Sequence, residues 1–117
     1  MMLVPAGIKV HMAVGYTDLR KGLDGLAVLV EQVLQQDPFS GHLFAFRGRR
    51  ADMIKVLFWD GSGLCLLTKR LEEGCFAWPV ADEHGLTVTL TAAQLSMLLE
   101  GLEWQRPERV WRPAVAG

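Results

Sequence analysis

The sequence predicts an α+β fold: an antiparallel β-meander sheet of about five or six strands covered by two helices, in the order β-α-β-β-β-β-β-α. Three observations predict it. Residues 8–14 and 86–90 alternate apolar and polar side chains with a period of two, as half-buried strands do. Two stretches, 19–34 and 95–102, carry leucines and valines at helical spacing. Between them, residues 42–78 form short apolar runs broken by Gly, Asp and Glu.

The first strand is Ile8–Val14, where Ile8, Val10, Met12 and Val14 alternate with Lys9, His11 and Ala13. Gly15-Tyr16 breaks it, and Thr17 and Asp18 are candidate helix caps. The helix behind them runs to about Gln36 with Leu19, Leu23, Leu26, Ala27, Val30, Val33 and Leu34 on one stripe. Gly22 and Gly25 each cost about 1 kcal/mol against Ala in a helix interior. Either the helix starts later than Asp18 or the glycines permit close packing. Asp37-Pro38 ends it, because the residue before proline avoids helical geometry.

His42–Arg47, Met53–Trp59, Leu64–Arg70 and the short run Cys75–Trp78 are the next strands, the last stopped by Pro79. Asp60-Gly61-Ser62-Gly63 is a strong hairpin turn, since Asp-Gly tolerates positive φ. Phe44, Phe46, Phe58, Trp59, Phe76 and Trp78 fall within these strands and are expected in the core rather than as base-stacking platforms. Leu86–Leu90 is the final strand. Thr91 with Gln94 is a capping box for a helix bearing Leu95, Leu98, Leu99 and Leu102. One domain is expected over residues 1–104, with the helices on one face of the sheet. Residues 105–117 read as an extended tail carrying Arg106, Arg109, Trp111 and Arg112.

A chain of 117 residues with 50% hydrophobic and 21% charged residues suits one domain with a real core. The opening lacks a basic leader, and no apolar run reaches the roughly 18 residues of a membrane span. With two cysteines, Cys65 and Cys75, this predicts a cytoplasmic protein without membrane association.

Catalytic constellations are poor. The cysteines stand ten apart without a C-x-x-C pair and the three histidines are scattered, which argues against zinc. Ser62 lies in a strand-to-strand turn, whereas a nucleophile elbow leads into a helix. Asp18, Asp52 and Asp60 sit at element ends, where local backbone hydrogen bonding explains them. The glycine-rich turn 61–63 lacks the Lys-Ser/Thr of a phosphate loop. No enzyme activity, metal or cofactor is expected.

The basic clusters carry the functional signal. Arg20 and Lys21 lie at the head of the first helix. Arg47, Arg49 and Arg50 surround the first hairpin turn, Lys55 follows in the next strand, and Lys69 and Arg70 end the third run of the meander. Meander connectivity puts the 47–50 turn and Lys69-Arg70 at the same end of the sheet. Guanidinium forks match phosphate geometry, and neutralising phosphates releases counterions. The bland alternative is a solvated rim paired with Asp52, Glu72 and Glu73. Net charge is −1, so a basic surface would have to be local.

The chain also resembles a known family. Pro5-Ala-Gly7, TDLRKG at 17–22, DGLA at 24–27, SGHLFAFRGRRADMIKVLFWDGSG at 40–63 and TKRLEEGCFAWP at 68–79 look like the small accessory protein of insertion sequence 66 transposons. That protein is called TnpB or the second-open-reading-frame protein, and is unrelated to the RNA-guided nuclease of the same name. The resemblance spans roughly residues 5 to 104. His11, Leu19 and Leu23 depart from residues common among relatives, which touches packing only. It implies a protein needed for transposition beside a separate, larger transposase, with no catalytic residues of its own. TDLRKG and FRGRR are its signature basic motifs, here Arg20, Lys21, Arg47, Arg49 and Arg50.

The leading expectation is a non-catalytic DNA-binding accessory that meets the element's ends through Arg47, Arg49, Arg50, Lys69 and Arg70, with Arg20, Lys21 and Lys55 adding charge. The second is an adaptor that docks the same cations on the transposase. The third is a metal-dependent nuclease using Asp52. An exposed edge strand leaves a homodimer open.

Overall fold

The computed structural model describes residues 7–79 and 85–105. Its elements are β1 (Val10–Tyr16), α1 (Leu23–Gln32), β2 (Leu43–Arg47), β3 (Met53–Trp59), β4 (Leu64–Arg70), β5 (Thr87–Leu90) and α2 (Ala92–Leu99). The class and element order are those expected, with one strand fewer. The five strands form one sheet in the order β4-β3-β2-β1-β5.

The sheet is mixed rather than purely antiparallel. β2, β3 and β4 make the expected meander, and β5 runs antiparallel to β1. β1 and β2, however, are parallel, with Val10 opposite Leu43 and Met12 opposite Ala45. The reason is α1: a helix between two neighbouring strands carries the chain back to the starting end, so the second strand must run in the direction of the first.

The helices lie on opposite faces, not on one. Ala13, Phe44, Phe46 and Leu57 pack with Leu26, Ala27, Val30 and Leu34 of the α1 segment. The alternate residues Val10, Met12, Leu43, Ala45, Ile54 and Val56 pack with Leu95, Leu98 and Leu99 of α2. Leu43, Phe44, Ala45 and Phe46 are consequently all buried, as a strand covered on both faces must be.

α1 begins at Leu23 with Gly22 as its cap, which settles the glycine question for Gly22. Gly25 stays inside the helix, where an added Cβ would come within 3.2 Å of the Lys21 Cβ. The Thr91–Gln94 capping box forms in full: the Gln94 N–H donates to the Thr91 hydroxyl at 3.1 Å, and the Thr91 N–H to the Gln94 side chain at 2.9 Å. α2 stops at Leu99 ahead of Gly101, whose φ of 78° ends it, so Leu102 leaves the expected stripe and is exposed.

The 75–78 run is not a strand. Its residues anchor the basic end of the sheet instead. Phe76 is buried and its N–H donates to the Ala51 carbonyl at 2.7 Å, while the Trp78 indole donates to the Ala13 carbonyl at 2.8 Å. Trp104 is buried and donates to the Ala77 carbonyl. The tail arginines 106, 109 and 112 and Trp111 lie outside the described residues.

Candidate nucleic-acid interface

The ends of β1, β2 and β4 and the start of β3 meet at one edge of the sheet, and the β1–α1 connection runs over it. Arg47 is opposite Ile54, Ile54 opposite Lys69, and Met53 opposite Arg70. All eight sequence-predicted site residues therefore occupy this end or the strand positions leading into it. The N-terminus of α1 is here too, without a side-chain cap, and its aligned peptide dipoles add positive potential.

The 48–52 turn that carries Arg49 and Arg50 is pinned from below. Ala51 sits at φ 59°, a region that L-residues other than Asn and Asp seldom adopt. It is held there by its N–H to the Gly48 carbonyl at 3.2 Å and by the Phe76 N–H on its own carbonyl. Next to it, the Leu71 N–H donates to the Asp52 carbonyl at 2.8 Å. The segment after β4 thus fixes where the arginines point.

The cations divide by what they touch. Arg20 forms a fork with Asp18, with N–O distances of 2.8 and 2.9 Å. That bond holds the Asp18 carboxyl well below the usual carboxylate range and raises the Arg20 guanidinium. Arg50 pairs with Asp52 at 3.1 Å. Arg47 is half-buried and reaches the Arg49 carbonyl, bracing the turn from inside. Lys55 donates to the Lys21 carbonyl at 3.2 Å and so tethers β3 to the head of α1. Lys69 donates to the carbonyl of Leu99, the last residue of α2.

Lys21, Arg49 and Arg70 are exposed, and among the described residues none is paired with a carboxylate. Arg49 instead lies over the Tyr16 ring, with its guanidinium carbon 4.9 Å from the centroid, and donates to the Tyr16 hydroxyl at 3.1 Å. Between the β1–α1 connection and the arginine turn runs an open groove of about 550 Å³, lined by Tyr16–Arg20, Gly48, Arg49 and Met53. Sequence reasoning treated Tyr16 only as a strand breaker. The available signal was an aromatic residue directly before TDLRKG.

The candidate carboxylates do not assemble. Asp18 and Asp52 are each engaged by an arginine, and Asp60 lies at the far end of β3, where it accepts the Ser62 and Gly63 N–H groups at 3.0 and 2.9 Å. Among the described residues no group of three or more His, Cys, Asp or Glu side chains could hold a metal ion. Nor is any described helix long and apolar enough to cross a membrane.

The family model described as IS66 Orf2 like protein matches residues 8–109. Protein y4hO of Sinorhizobium fredii is 44% identical over 117 residues, covering 98% of this chain and 100% of that one. Protein y4jC of the same organism is 38% identical over 103 residues, covering 88% of this chain and 86% of its own length. No solved structure matches the chain.

Proposed function

The chain belongs to the family of IS66 Orf2-like proteins, and we propose that it is a non-catalytic accessory protein of insertion-sequence transposition that holds the element's DNA on the basic end of its sheet. One observation carries the reading. Asp18 and Asp52 are already neutralised by Arg20 and Arg50, and Lys21, Arg49 and Arg70 still face solvent with no carboxylate partner among the described residues. Phosphate oxygens are the groups such a surface recognises, and phosphate contacts position a protein on DNA without reading its sequence.

The test is a fluorescence-anisotropy titration against duplex DNA carrying the element's ends, at several salt concentrations. The comparison is between wild type and Lys21→Ala/Arg49→Ala/Arg70→Ala, three exposed positions whose loss leaves the core intact. Binding should weaken steeply with salt, and the variant's log–log slope should be shallower by about 3. A wild-type slope near zero would sink the proposal.

The second reading is docking on the separate transposase, with the same cations meeting an acidic patch. The net charge of −1 supports it, since bulk electrostatics do not draw this chain to DNA. Co-purification with the transposase in nuclease-treated extract, with no DNA binding at any salt, would favour it over the first.

A further inference from the structure

We propose that the groove beside Tyr16 receives one unpaired nucleotide, so that the protein prefers single-stranded or locally melted DNA over intact duplex. This rests on the DNA-binding reading and narrows it to a class of substrate. The groove has three parts. Its floor is apolar, from Leu19 and Met53. Its rim carries Arg49 and the Arg20–Asp18 pair. Its wall is Tyr16, a residue 57% exposed with the Arg49 guanidinium over one part of its ring.

Those parts match the parts of a nucleotide. A base is a flat apolar surface that stacks on tyrosine or on a guanidinium plane. The phosphate of the same nucleotide falls to the Arg49 guanidinium at the rim. At about 550 Å³ the groove is of small-molecule size. A duplex cannot use it, because paired bases present their faces to one another and only their edges and phosphates to a protein. A base reaches an aromatic wall only when it has left the stack.

The groove is also built to keep its shape. The Arg49 bond to the Tyr16 hydroxyl sets the ring. An added Cβ at Gly48 would come within 3.3 Å of Leu19 Cδ1, so the arginine turn closes tightly on the floor. Tyr16 itself is the last residue of β1 and lies opposite Arg47, past an irregularity in the β1–β2 register. The irregularity falls where the ring leaves the sheet for the groove, as bulges beside binding sites do.

Tyr16 is the sole tyrosine of the chain, which makes the test specific. Fluorescein-labelled oligothymidine and a blunt duplex of equal phosphate number are titrated at one low salt concentration against wild type, Tyr16→Ala and Tyr16→Phe. Wild type should bind the single strand more tightly. Tyr16→Ala should lose about tenfold on the single strand and nothing on the duplex. Tyr16→Phe, which keeps the ring under Arg49 but loses the hydroxyl bond that sets it, should lose less than Tyr16→Ala on the single strand. Photocrosslinking to 5-iododeoxyuridine should map to Tyr16. Equal affinity for both DNAs, or a Tyr16→Ala loss shared by both, overturns the inference while leaving DNA binding in place. No binding to either DNA overturns this inference and the DNA-binding reading together. Thermal midpoints of the two variants confirm that they are folded.

Discussion

The two ends of the sheet differ in kind. At one end the chain places arginines and lysines on loops and strand tips. At the other end lie the tight Asp60–Gly63 turn, the Phe39–Trp59 edge contact and the paired rings of His11 and His42. The first end is held from below by residues 71–78 and keeps its charges in water. The second is closed on itself by hydrogen bonds and rings. The two helices pack on opposite faces of the sheet, so the loops that carry the cations gather at one end of it.

The largest effect should come from neighbours on one strand. Lys69 and Arg70 adjoin in sequence, but strand alternation sends them to opposite faces. Lys69 reaches the carbonyl that ends α2, whereas Arg70 is exposed with no carboxylate partner among the described residues. Arg70→Met should lower DNA affinity about fivefold, with a salt slope shallower by about 1 and an unchanged thermal midpoint. Lys69→Met should do the reverse. It loses a favourable cation at a helix C-terminus, about 0.5 kcal/mol for a side chain so exposed, with little effect on DNA. If both substitutions act only on affinity, the distinction between tethering lysines and outward arginines is broken.

A smaller effect, of opposite sign, should come from Asp18. The Arg20 fork neutralises it and lowers its pKa, and it sits among cations at the groove. Asp18→Asn keeps the shape and removes the negative charge, which releases Arg20 toward phosphate. Affinity for DNA should rise about threefold at low salt, and the gain should fade as salt rises. A loss of affinity would mean that Asp18 matters by aiming Arg20, and that the end works as a geometric clasp rather than a charge field.

Much of this division was readable in the residues. The Val10–Val14 alternation, the Asp60-Gly61 turn and both halves of the Thr91–Gln94 box are local signals, fixed by side-chain period and backbone hydrogen bonding. The convergence of the arginine turn with Lys69-Arg70 followed from meander connectivity alone. What was not readable depends on partners distant in sequence. A strand's pattern does not say whether its neighbour is parallel, and the direction of β1 against β2 comes from the path of α1. The run HLFAFR hinted at cover on both faces, because Leu43, Phe44, Ala45 and Phe46 are apolar without alternation. The bonds that tie Lys55 and Lys69 to backbone carbonyls could not be seen, since a lysine that tethers a carbonyl and one that waits for phosphate look alike in a sequence. Tyr16 was missed for the same reason: its role is set by Arg49, 33 positions away.

The opposite end offers the last and smallest effect, on stability rather than binding. His11 is nearly buried, stacked on Phe44 at 5.4 Å and edge-on to His42 at 5.6 Å. Burial first, then the charges of His42 and Lys9, lower its pKa from 6.5. A histidine with a depressed folded-state pKa binds its proton more readily when unfolded. Its contribution is therefore intact above pH 6.5 and is lost as pH falls from 6.5 through the folded-state value. Thermal midpoints should decline over that window in wild type and decline less in His11→Phe and His11→Gln, two variants of different size that share only the loss of the titrating ring. DNA affinity measured above the window should be the same in all three, because His11 lies at the end of β1 opposite to Tyr16 and Arg49. A pH-dependent affinity that vanishes with His11 would show instead that the two ends communicate through β1, the strand that runs from His11 to Tyr16.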